Sequence, residues 1–166
     1  MTHAYPVQRI TSTSPLPMNK KGIIALGNPL RSDDGIGITI LQRLEERGSE
    51  DIALLDGGTG GLKILHLLAG LNVAIIVDAV RFGGQPGAYV FFKPQEATSH
   101  QTPVHAHNPA LFDAIKLSQQ LNECPHKIMI MGIQPETTAL GTDLSESVAE
   151  NLDEMVDALL QKIREL

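Results

Sequence analysis

At 166 residues, 42% of them hydrophobic and 19% charged, the chain has the size and balance of one globular domain that buries its core without staples. A net charge of −6 and a pI near 5.4 exclude the broad basic face that nucleic acid or an acidic membrane surface requires. The single cysteine, Cys124, excludes an internal disulfide or a CxxC site and points to a reducing compartment, the cytoplasm.

Residues 1–20 are rich in Thr, Ser and Pro and lack an apolar signal core, so a poorly ordered lead is expected there and a single domain over 21–166. No apolar run reaches the roughly 18 residues of a membrane span. Gly22 to Leu26 is a short apolar run closed by Gly27 and Pro29, a strand followed by a turn. From Asp34 to Arg47 the pattern turns helical, with Ile36, Ile40, Leu41 and Leu44 on one face and Gly48 as its stop. Ile52 to Leu55 reads as a strand broken by Gly57-Gly58, and Leu62 to Ala69 as a short helix. Val73 to Val77 is continuously apolar, the signature of a strand covered on both faces, and Asp78 follows it. Gly87 to Phe92 is an edge strand, and Gln95 to Asn108 a loop. Asn108-Pro109 has helix-start chemistry, and Leu111, Ile115, Ser118 and Leu121 mark the buried face of the helix it opens. Lys127 to Met131 is the last strand. The final helix starts near Asp143 to Ser145, with Asp143 and Glu146 spaced as a capping box, and buries Val148, Leu152, Met155, Val156, Leu159 and Ile163.

Strands alternating with helices predict a three-layer α/β domain: a mostly parallel, twisted sheet of about five strands with helices on both faces. Ligands of such sheets sit beyond the carboxyl ends of the strands. The acids after the first and third strands both fall at that edge.

Common catalytic signatures are absent. There is no HExxH, no GxSxG, no GxxxxGK[ST], and no complete GxGxxG. Cys124, in the polar turn ECPH, reads as an incidental thiol.

Three segments remain. Asp33 and Asp34 lie between a strand and a helix, where carboxylates ordinarily cap the helix and stabilise its dipole; one can cap while the other faces the cleft. Asp78 ends a buried run, a costly place for a carboxylate unless it is paired, solvated or bound to a cation. His107 precedes the Asn-Pro helix start, which fixes its direction, though a loop histidine is commonly just solvated. Together, two carboxylates and one imidazole suit a divalent transition metal such as nickel, zinc, cobalt or manganese, and leave coordination positions open.

In order and spacing, GNPLRSDDGIG (Gly27 to Gly37), LDGGTGG (Leu55 to Gly61), VDAV (Val77 to Val80), His107 with the ALFDAI helix, and MGIQPE (Met131 to Glu136) resemble the hydrogenase maturation endopeptidases. The resemblance runs from Gly22 to the terminal helix. It implies an endopeptidase that removes the C-terminal extension of the nickel-iron hydrogenase large-subunit precursor after nickel insertion. It also implies that Asp34, Asp78 and His107 are the catalytic and metal-contact residues, meeting nickel carried by the substrate. Several family members carry Glu where this chain has Asp34, whose carboxylate reaches about 1.5 Å less far. Two other readings accompany it: a nickel-binding scaffold that cuts nothing, and a related metallopeptidase acting on another protein.

Overall fold

The computed structural model describes residues 20–48, 51–97 and 108–166. The lead expected over residues 1–20 lies, apart from Lys20, outside them, and so does His107.

The sheet has five strands: β1 (Lys21–Ala25), β2 (Ile52–Asp56), β3 (Val73–Ala79), β4 (Tyr89–Phe92) and β5 (Lys127–Ile133), in the order β2-β1-β3-β5-β4. All pairings are parallel except β4 against β5, so β4 is the antiparallel edge strand its sequence predicts. Side chains alternate between two cores, as a period of two dictates. Ile23, Ile75 and Val77 face one layer, with α1 (Ile36–Arg47) and α6 (Leu152–Glu165). Ile24, Ala74 and Ile76 face the other, with α2 (Leu62–Leu68) and α4 (Pro109–Gln120). The central strands β1 and β3 are therefore apolar on both sides, and the three-layer expectation holds.

Several local expectations are corrected. Asp34 lies not in α1 but in a 3-10 turn, Ser32–Gly35, that precedes it. β3 runs on through Asp78, because β5 continues to Ile133 and pairs Asp78 with Gly132. A short helix, α3 (Pro94–Ala97), occupies the start of the expected loop. Leu121 follows α4 and is 51% exposed instead of buried, since α4 ends at Gln120. The terminal helix is broken into α5 (Glu146–Ala149) and α6, and the expected Asp143–Glu146 box does not cap it. Ser145 holds the N-cap position without a side-chain cap bond, its hydroxyl being committed to Asp33.

Two glycines let α1 sit tightly on the strand ends. At Gly37 a Cβ would lie 2.4 Å from the Leu26 carbonyl oxygen and 2.9 Å from that of Val77. Gly27 has φ +133°, and a Cβ there would meet the Asp34 carbonyl at 1.8 Å. Both glycines of this segment thus fix how closely the acidic turn approaches the ends of β1 and β3.

Candidate active site

A pocket of about 230 Å³ opens at the carboxyl edge of the sheet, lined by Gly27, Asp34, Thr59, Asp78, Ala79 and Asn108. The loops following β1 and β2, the end of β3 and the start of α4 build it. Backbone joins these segments: the Leu26 N–H donates to Val77 O of β3 at 2.8 Å, and the Gly27 N–H to Gly58 O at 2.9 Å.

Asp34 and Asp78 converge here as the sequence predicts. Asp34 is half-buried, and its Oδ2 accepts the Asn28 N–H at 2.9 Å, which orients the carboxylate. Asp78 is 8% exposed. Burial, reinforced by the negative charge of Asp34, pushes its carboxyl up to about 7, against the opposing bonds from the Ala79 backbone and the Asn108 side chain. A pair of acids at one small opening, one of them reluctant to ionise, is an arrangement that a divalent cation or a shared proton relieves. Among the described residues no three His, Cys, Asp or Glu side chains gather to hold a metal. The donors present are therefore the two carboxylates. His107, the third residue the sequence singles out, lies outside the described residues, immediately before the pocket-lining Asn108.

Asp33 plays a different part. It is fully buried and faces away from the pocket into the loop that follows β5. Its Oδ2 accepts the backbone N–H groups of Glu136 (2.8 Å) and Thr137 (3.0 Å) and the Ser145 hydroxyl (2.9 Å). Its Oδ1 accepts the Ser145 N–H at 2.7 Å. Burial alone would raise its pKa, but the donors of Thr137, Ser145 and Glu136 together hold it below the ordinary carboxylate value. The capping role expected of Asp33 is thus realised on a distant loop and not on α1. Glu136, the last residue of the MGIQPE motif, is exposed, does not line the pocket, and accepts the Ser147 hydroxyl.

Two residues that sequence reasoning left without a site role are drawn in. Asn108, read only as a helix cap, accepts the Leu111 N–H at 3.1 Å and also bonds Asp78. Gln134 is buried, and its Oε1 accepts the N–H groups of Phe82 (2.9 Å) and Gly83 (3.1 Å), fixing the loop that leaves β3. Its place inside MGIQPE was the available signal. A larger cavity, about 410 Å³, lies at the opposite edge of the sheet, beside Cys124, His126 and Lys127. It contains no Asp or Glu and adjoins the start of β5, so it lacks both the chemistry and the strand-end position of the first.

Likeness to known proteins identifies the family. Residues 38–162 match the family model described as hydrogenase maturation protease. The hydrogenase expression/formation protein HupD of Rhodobacter capsulatus is 31% identical over 149 residues, covering 87% of this chain and 70% of that protein. The hydrogenase 2 maturation protease of Escherichia coli (strain K12) is 28% identical over 147 residues, covering 86% and 90%. The solved structure of the hydrogenase maturating endopeptidase HybD from E. coli aligns with a TM-score of 0.76 at 26% identity, covering 88% of this chain and 93% of that one. Fold and likeness together define the class as hydrolase, an endopeptidase. The chain belongs to the hydrogenase maturation protease family.

Proposed function

We propose that this protein cleaves the C-terminal extension from the large-subunit precursor of a nickel-iron hydrogenase once nickel has been inserted. The observation that carries the reading is the convergence of Asp34 and Asp78 on one pocket at the strand ends of a chain of this family. Asp78 is buried beside a like charge, and among the described residues no cationic side chain pairs with it. Nickel already seated in the precursor supplies positive charge there. Docking against Asp34, Asp78 and His107, it sets the scissile peptide at the rim and rejects precursor that lacks metal, a discrimination by differential affinity. The nickel is cargo of the substrate and not a resident cofactor; other divalent ions of similar ligand preference compete for the same donors. The cytoplasm, where the lone thiol stays reduced, is the place of action.

The test is a mass measurement on nickel-loaded and nickel-free precursor after mixing with the purified chain. Loss of the extension from the loaded form alone is expected. Equal cutting of both forms defeats metal recognition, and no cutting of either leaves a scaffold. Asp78→Asn and His107→Ala are expected to abolish processing while the chain stays folded.

The raised pKa of Asp78 favours one competing role, in which its proton serves as a general acid. The pH profile separates the two. A carboxylate that must receive metal gives kcat/KM rising with pH towards about 7, because protons compete with the ion. A general acid gives kcat/KM falling above the same midpoint.

A further inference from the structure

Beside the acidic pocket, and continuous with it through Asp34 and Ala79, lies a second groove of about 270 Å³ lined also by Arg31, Arg81, Pro135 and Thr138. Its two guanidiniums are exposed and form no ion pair among the described residues, not even with the Asp34 they share a wall with. Two other arginines are paired: Arg43 and Arg47 on α1 both meet Asp153 on α6. Arg31, in the loop after β1, is positioned from outside that loop, its Nε donating to Thr138 O at 3.3 Å. That loop is zipped to the segment after β5 by Gly141 N–H to Leu30 O (3.0 Å) and Ser32 N–H to Gly141 O (2.9 Å). Two large exposed apolar residues flank these bonds, Leu30 at 62% and Leu140 at 83% exposure, though neither lines the groove.

A net-negative protein with an acid pair at its centre repels an acidic peptide unless cations stand at the approach. We propose that Arg31 and Arg81 form a carboxylate-binding subsite that receives an acidic group of the precursor close to its cleavage point. Arginine suits this task, since its planar fork matches a carboxylate and it stays charged at any working pH. The inference rests on the cleavage reading for its partner, but not on cleavage for its test. The carboxylate has two possible sources: an acidic side chain flanking the scissile bond, or the free C-terminus of the extension.

The experiment is the binding of fluorescently labelled, nickel-loaded precursor to the full chain, followed by anisotropy across a salt series. R31Q/R81Q is expected to bind about tenfold more weakly and with a shallower salt dependence, as charges lost from a rim do. R31K/R81K, which keeps the charge, is expected to recover most of the affinity. Precursor with the flanking acids changed to amides, and precursor with an amidated C-terminus, identify the source. Whichever of these weakens wild-type binding should have no further effect on R31Q/R81Q, because the two changes remove one interaction. Equal affinity of the wild type and R31Q/R81Q overturns the subsite, as does an R31Q/R81Q defect that persists undiminished on precursor lacking both kinds of carboxylate. Binding with the expected arginine dependence but without cleavage overturns the protease reading and leaves the subsite standing.

Discussion

Asp33 and Asp78 are two buried aspartates at the same edge of the same sheet, and their surroundings treat them in opposite ways. Asp33 is the more buried, yet it is held ionised by donors gathered from residues 136, 137 and 145. Asp78 keeps slightly more exposure, yet its carboxyl is pushed up to about 7 by burial and by Asp34. Burial therefore says little about what a carboxylate does; the count of donors facing it decides. A fully satisfied acid ties loops together and stabilises the fold. An under-satisfied acid at an opening costs stability and is available for chemistry.

The sharpest way to break this contrast is Asp33→Ala. It strands three backbone N–H groups and a hydroxyl, and the expected loss is about 3–5 kcal/mol, seen as a fall in Tm of roughly 10 °C. The pH dependence follows in sign. Because the folded pKa of Asp33 lies below its unfolded value of 3.8, its contribution is present above that pH and lost in acid. A variant with unchanged Tm at pH 7 would show that the clasp contributes nothing.

Asp78→Asn should act in the other direction. The unfolded carboxyl titrates near 3.8 and the folded one near 7, so the native state holds the proton more tightly across that window. Wild-type stability then falls as pH rises from about 4 to 7 and levels off above. The amide cannot ionise, and the variant is expected to gain about 2–4 kcal/mol at pH 8, with no gain near pH 4. Denaturant unfolding at both pH values checks this. The same variant should be inactive: more stable and without function, the reverse of what replacing Asp33 does to the folded state.

Much of this was legible in the sequence, and what was missed shares a cause. The apolar runs of β1 and β3 and the edge position of β4 follow from local pattern. So does the convergence of Asp34 and Asp78, because strand order brings the ends of β1 and β3 together. The role of Asp33 was not legible, since its donors lie 103 and more residues away in the chain. β3 was read as stopping before Asp78 because an acid breaks an apolar pattern, whereas the pairing with Gly132 carries the strand past it. The missing side-chain cap at the start of α5 likewise answers to the Asp33–Ser145 bonds and not to the local Asp143–Glu146 spacing. Local chemistry located the acids, and long-range donors assigned their work.

The smallest effect expected is the most informative about that division. Asn108 serves both kinds of contact at once: its Oδ1 caps α4 through Leu111 N–H, and its side chain bonds Asp78. Serine caps a helix about as well as asparagine, so Asn108→Ser should change stability by less than about 0.5 kcal/mol through the cap. Its shorter hydroxyl does not replace the amide at Asp78, and the bond removed is one that lowers the Asp78 pKa. The Asp78 midpoint, followed by the NMR shift of its carboxyl carbon, should therefore rise above the wild-type value while the helix stays intact. A midpoint that stays in place would make Asn108 a cap and nothing more. A rise would mean that the residue starting α4 also sets how readily the pocket carries its charge.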